Sequence, residues 1–305
     1  MKTSVVLAAV AWLGLTGTCA AQLAGVTPEM IASALPEEGA PQAVPGPYHV
    51  ATELGFEAPG LRIFRPANLE RFPKRDTLPV VIWGNGGCAV DSPRYAGFLS
   101  TIASHGFLVI TTAGVSEEGA PRRQATAEDL KAAIDWADRE DTRAGAPLNG
   151  KIEMGRIAVM GQSCGGVLAI TLGADPRVAT IGVFNSGLQA RHPEAAAAVA
   201  DPLSKLHGPV LLINGHERDF MMATSKATYE AIDKLPAFYG SRHGAGHTAT
   251  MFHPGGGEFA NVASNWVLWQ FKGDRTAGAM FLGAKCGLCT NLNWDVESKR
   301  LAGVR

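Results

Sequence analysis

Through the middle of the chain, short apolar runs alternate with stretches of helix length. The runs are 79–83 (Pro-Val-Val-Ile-Trp), 107–112 (Phe-Leu-Val-Ile-Thr-Thr), 156–161 (Arg-Ile-Ala-Val-Met-Gly), 180–184 (Thr-Ile-Gly-Val-Phe), 209–214 (Pro-Val-Leu-Leu-Ile-Asn) and 238–242 (Phe-Tyr-Gly-Ser-Arg). Unbroken apolar runs of this length fit strands buried on both faces. Between them, 93–105, 126–142, 167–174 and 224–235 read as helices. The segment 258–272 closes the pattern, with Phe259, Val262, Trp266 and Trp269 at helical spacing. Thr126-Ala-Glu-Asp129 fits a capping box at the start of its helix. Strands separated by helices predict one α/β domain: a mostly parallel central sheet with helices on both faces.

A hydrophobic content of 46% is enough for a core and excludes disorder. A net charge of −1 and the lack of a basic stripe argue against a nucleic-acid partner. Beyond the N-terminus no apolar run is long enough to span a bilayer. The first twenty residues read as a secretory leader. Lys2 supplies the positive start, 5–15 the apolar stretch, and Thr18-Cys19-Ala20 the small residues for cleavage. The mature protein is thus expected to be secreted or periplasmic. Residues 21–60, rich in Pro, Gly, Ala and Glu, read as an irregular segment with a short helix around 28–35. Residues 61–272 form the expected α/β domain, and 273–305 a tail.

The sharpest chemical signal is Gly161-Gln162-Ser163-Cys164-Gly165. An apolar strand precedes it and a small-residue helix follows, the context in which a strained turn lifts a nucleophilic serine to the sheet edge. A serine hydroxyl needs a base and a group to orient that base. In such folds the acid and the histidine follow the serine in chain order. His247, in the glycine-rich Gly244-Ala-Gly-His247, is the favoured base, with His243 and His253 as alternates. Asp219, late in the loop Gly215-His-Glu-Arg-Asp219, is preferred over Glu217 as the acid. It would accept the Nδ1 proton and fix the tautomer. The backbone N–H of Cys164 is one expected oxyanion donor. The second comes from Trp83-Gly84-Asn85-Gly86-Gly87-Cys88, with Gly87 assigned and Gly86 the alternative. Trp83 reads as a core residue or a pocket wall. Phe220 and Met221, beside the acid, read as cleft-lining or core residues. No metal or other cofactor is expected. Gly244 and Gly246 argue against the helix that would pair His243 with His247, and no nearby carboxylate completes a site.

The order of these motifs resembles the secreted α/β-hydrolase serine esterases. Within them the chain is most similar to the dienelactone-hydrolase-like and cutinase-like polyesterase branch, which includes polyethylene terephthalate hydrolases. The resemblance rests on 102–110 (Ile-Ala-Ser-His-Gly-Phe-Leu-Val-Ile), on 155–166 (Gly-Arg-Ile-Ala-Val-Met-Gly-Gln-Ser-Cys-Gly-Gly), and on the spacing to Asp219 and to Gly244-Ala-Gly-His247. It covers roughly 60–272 and implies an α/β-hydrolase fold with a Ser-His-Asp triad. Ser163 stands where dienelactone hydrolases proper use a cysteine. Gly86-Gly87-Cys88 occupies the region where polyesterases usually carry an aromatic residue. The stretch between Phe184 and Pro209 is too short for a large lid domain, so an open cleft is expected. The expected function is a serine carboxylic-ester hydrolase acting on a small or polymeric ester. A peptidase of the same fold and a non-catalytic binding protein are the alternatives.

Four cysteines remain after leader removal: Cys88, Cys164, Cys286 and Cys289. Both expected oxyanion amides must point at one oxygen, which brings Cys88 and Cys164 within disulfide range. The expected pairing is Cys88–Cys164 with Cys286–Cys289. The alternative is that Cys88 and Cys164 are buried free thiols.

Overall fold

The computed structural model describes residues 41–114, 123–188 and 201–303. The leader expected over 1–20 and the short helix expected near 28–35 lie outside the described residues. One sheet organises the rest. Its strands are β1 (Val50–Gly55), β2 (Ala58–Pro66), β3 (Leu78–Gly84), β4 (Leu108–Thr112), β5 (Ile152–Gln162), β6 (Val178–Phe184), β7 (Val210–Gly215), β8 (Ala237–Arg242) and β9 (Trp294–Lys299). Their order is β1-β2-β4-β3-β5-β6-β7-β8-β9. The pairs from β4 through β8 are parallel, while β1/β2, β2/β4 and β8/β9 are antiparallel. The helices are α1 (Ala96–Ser104), α2 (Ala127–Thr142), α3 (Cys164–Leu172), α4 (Met222–Ala231), α5 (Gly257–Lys272) and the short α6 (Arg275–Gly278).

Every residue of β3 is buried, because helices cover both faces. Alternate residues serve opposite sides of the pleat. Val81 and Trp83 join Phe98, Leu99 and Ile102 of α1 and Phe259, Val262 and Trp266 of α5 in one core. Val80 and Ile82 join Leu130, Ile134 and Ala137 of α2, Ile170 of α3 and Tyr229 of α4 in the other. Each buried aliphatic side chain contributes about 1.5–3 kcal/mol, so these two layers dominate stability. This is the α/β-hydrolase architecture expected from the strand–helix alternation. No domain-sized insertion fits between Phe184 and Val210. Among the described residues no helix is long and apolar enough to cross a membrane.

The differences from expectation have local causes. The capping box at Thr126 forms: Asp129 N–H donates to the Thr126 hydroxyl, and Thr126 N–H donates to the Asp129 carboxylate. Residues 93–105 split into a 3-10 turn, Pro93–Tyr95, and α1. Helix α3 starts at Cys164, not 167, because Gly165 and Gly166 are helical residues chosen for close packing rather than turn residues. Helix α4 ends at Ala231, not 235: Ile232 is extended, and Pro236 disfavours helical geometry at the residue before it. All of β1 and part of β2 lie in the segment expected to be irregular. Strand β9 lies in the expected tail, so β8 is not the last strand.

Candidate active site

Ser163 stands between β5 and α3 with φ 52° and ψ −124°. A non-glycine residue there is strained, and such strain concentrates at functional positions. The turn is held by Ser163 N–H donating to Phe184 O, at 2.9 Å. Its glycines are required by contact. A Cβ on Gly161 would sit 2.2 Å from Gly165 O, and one on Gly165 would sit 2.1 Å from Gly84 O. Strand β3, strand β5 and the start of α3 therefore meet backbone to backbone beneath the serine.

The loops after β7 and β8 converge on it. Arg218 and Gly246 form a parallel bridge, and His216 N–H donates to Ala245 O at 3.0 Å. This places His247 Nε2 2.9 Å from Ser163 Oγ, and His247 Nδ1 2.9 Å from Asp219 Oδ1. The Asp219 side chain is fully enclosed, and that of His247 is 12% exposed. A buried carboxylate needs donors, and Asp219 has them. Oδ1 also accepts from Met221 N–H at 3.0 Å, and Oδ2 accepts from Gly215 N–H at 3.1 Å and from Asn185 Nδ2 at 2.8 Å. An acceptor-only carboxylate facing Nδ1 assigns the proton there, leaving Nε2 to accept from the serine hydroxyl. The Phe220 ring lies against the imidazole, centroids 4.0 Å apart.

The alternates are placed elsewhere. His243 faces Asp295 at 3.0 Å, and Glu217 pairs with its neighbour His216. His253 stands just before the 3-10 turn Pro254–Gly256 without a side-chain capping bond, and burial lowers the pKa of its imidazole. His216, His243 and Asp295 bring ligand-type atoms within 4.8 Å of one another, so these three are the group among the described residues that could hold a metal ion. Asp295 is the carboxylate the sequence did not offer, because it arrives on β9.

Cys88 and Cys164 are bonded, with Cα atoms 5.1 Å apart, and so are Cys286 and Cys289. Among the described residues no cysteine is free. The first bond ties the loop after β3 to the start of α3. In that loop Gly87 has φ 65° and open space on its Cβ side. Gly86 is unsuited to the role of alternative donor, because its N–H already donates to Tyr95 Oη at 3.1 Å. Trp83 is no cleft wall: it is fully buried, with the rings of Tyr95, Phe98 and Phe184 packed around it. Met221 is buried beneath Asp219, whereas Phe220 keeps partial exposure beside His247. Asn185 escaped the sequence reading. Its one signal is position, a polar residue directly after an apolar strand, where this architecture places its site.

A hydroxyl on a strained turn, hydrogen-bonded to an imidazole backed by a caged carboxylate, is suited to attack a carbonyl carbon. A family model described as PET hydrolase-like matches residues 36–285. Among curated proteins none matches the chain. The matched span takes in the whole sheet from β1 to β8 and all three residues of the hydrogen-bonded line. The chain therefore belongs to the PET hydrolase-like family of α/β-hydrolases, enzymes that cleave carboxylic esters.

Proposed function

We propose that the protein is a secreted serine esterase working through an acyl-enzyme on Ser163. Supporting this reading above all is the unbroken line Ser163 Oγ–His247 Nε2 and His247 Nδ1–Asp219 Oδ1, each 2.9 Å. Ser163 Oγ attacks the ester carbonyl carbon while His247 Nε2 takes the hydroxyl proton. Asp219 holds the imidazole and stabilises the imidazolium. The oxyanion is received by the N–H groups of Gly87 and Cys164. As the tetrahedral adduct collapses, the alcohol leaves with the proton from His247. Water then attacks the acyl-enzyme by the same route, releasing the acid and restoring Ser163.

Ser163 is partly exposed, which suits an ester that approaches from solvent. Phe220, tilted against the imidazole, offers an apolar surface beside the scissile bond. The leader and the two disulfides suit an oxidising compartment outside the cytoplasm. The test is a panel of esters with graded acyl chains, aromatic esters and a polyester film, each run with the protein and with Ser163→Ala. Hydrolysis of at least one ester class that is lost in Ser163→Ala supports the reading. Hydrolysis retained in that variant, or none by the wild type, overturns it.

A further inference from the structure

A second, buried line of hydrogen bonds runs beneath the catalytic groups, and no step above uses it. Gly86 N–H donates to Tyr95 Oη at 3.1 Å. The Tyr95 hydroxyl donates to Gln162 Oε1 at 2.7 Å. Gln162 Nε2 donates to the backbone oxygen of His247 at 2.8 Å. Tyr95 and Gln162 are each 2% exposed. The line touches three elements at informative points. Gly86 precedes Gly87, Gln162 precedes Ser163, and the far end is the backbone of His247 itself.

The polarity of the line is fixed by chemistry. An amide offers donors on one side and an acceptor on the other. Rotating the Gln162 amide would set its oxygen against the His247 carbonyl, two acceptors face to face. Burial raises the Tyr95 phenol far above its usual range, so the hydroxyl keeps its proton and remains a donor. The close fit also explains a residue: a Cβ at position 86 would fall 2.1 Å from Gln162 Oε1 and 2.5 Å from Tyr95 Oη.

We propose that Tyr95 and Gln162 are positioning residues that hold the oxyanion loop and the His247 loop in register about Ser163. The proposal rests on the ester-hydrolase reading above. Neither side chain touches the reacting atoms; both act through backbone. Loss of the hydroxyl leaves Gly86 N–H and Gln162 Oε1 buried without their partner, and such groups shift to find another. A shift at Gly86 re-aims the neighbouring Gly87 N–H. A misplacement of about 1 Å costs a rate on the order of a hundredfold.

Tyr95→Phe is the informative change, because the ring remains to pack on Trp83 and Phe252. The experiment measures kcat, KM, melting temperature and the rate of Ser163 labelling by an organophosphonate. Four proteins are compared: wild type, Tyr95→Phe, Gln162→Met and the double variant. Expected for each single variant is a fall of about tenfold to hundredfold in kcat. KM should stay within about twofold, because the oxyanion contacts act in the transition state. Labelling should slow in parallel. The double variant should be scarcely worse than either single one, because both break one line. Wild-type kcat and labelling rate in both folded single variants would overturn the proposal. So would effects that multiply as for independent sites, or a loss of kcat that vanishes when measured well below each melting temperature. An inactive wild type with unlabelled Ser163 would instead remove the ester-hydrolase reading, and the positioning role with it.

Discussion

Removing the Cys88–Cys164 bond by Cys88→Ala/Cys164→Ala tests whether this disulfide clamps the site as well as the fold. The bond closes a loop with a sequence separation of 76. Loop-closure entropy assigns such a cross-link about 4.5 kcal/mol, and native-state effects commonly reduce the yield toward about 2. The Cys286–Cys289 bond has a separation of only 3, for which the same relation gives about 1.6 kcal/mol. Urea denaturation of the two double variants should therefore rank them, with Cys88→Ala/Cys164→Ala clearly the less stable. Activity separates the two further. Cys88 follows Gly87, and Cys164 carries the other N–H proposed for the oxyanion, so freeing one from the other should loosen both donors. Loss of one such donor costs about 2.7–4 kcal/mol in other serine hydrolases, and loosening should cost a fraction of that. At 15 °C, with both variants folded, kcat should fall about tenfold in Cys88→Ala/Cys164→Ala and hold steady in Cys286→Ala/Cys289→Ala. Equal stabilities together with equal kcat values would refute the clamp.

Asn185→Ala removes one of the donors that cage Asp219, at a position with φ 47° where alanine is also strained. It should lower kcat/KM by about tenfold or more, and unchanged kinetics in folded protein would dismiss the contact. Trp83→Ala should cost about 3–5 kcal/mol in urea denaturation; a variant of native stability with a raised KM would instead make Trp83 a pocket wall. The four tyrosines carry a pH prediction. Burial, as the largest cause, raises Tyr48, Tyr229 and Tyr239 from 10.0 to about 12, and raises Tyr95 further. A raised folded pKa contributes stability that is complete below pH 10 and is lost as pH climbs toward about 12. Phenolate absorbance should thus lag behind that of free tyrosine and rise together with unfolding. Its appearance near pH 10 with circular dichroism intact would contradict the burial.

What could be read in the residues follows from how each element is held. Strands β3, β4, β5, β6, β7 and β8 lie between two helical layers, so their apolar runs are continuous and visible. Strands β1 and β9 are held at the sheet's edges by backbone pairing with one neighbour. In Val50–Gly55 only Gly55 is buried, and Trp294–Lys299 carries Asp295, Glu297 and Lys299. Their apolar residues are too few to form a continuous run, although Trp294 belongs to the core and Val50 and Val296 pack against it, and charges suit an edge that must not pair with other chains. In the site, Ser163, Asp219 and His247 were legible because chain order and loop position constrain them. Asn185, Tyr95 and Gln162 were not, since each is one polar residue whose partner is far along the chain. The separations are 34 residues for Asn185 with Asp219 and 67 for Tyr95 with Gln162. The Asp295 carboxylate was hidden with its strand.

The proposed chemistry requires Ser163 to be an activated nucleophile. Its most direct test is intact-protein and peptide mass spectrometry after exposure to a fluorophosphonate, with His247→Ala alongside the wild type. One phosphonyl adduct is expected, on Ser163, formed quickly by the wild type and slowed by several orders of magnitude in folded His247→Ala. An adduct on another residue, or equal labelling of Ser163 with and without His247, would contradict this chemistry.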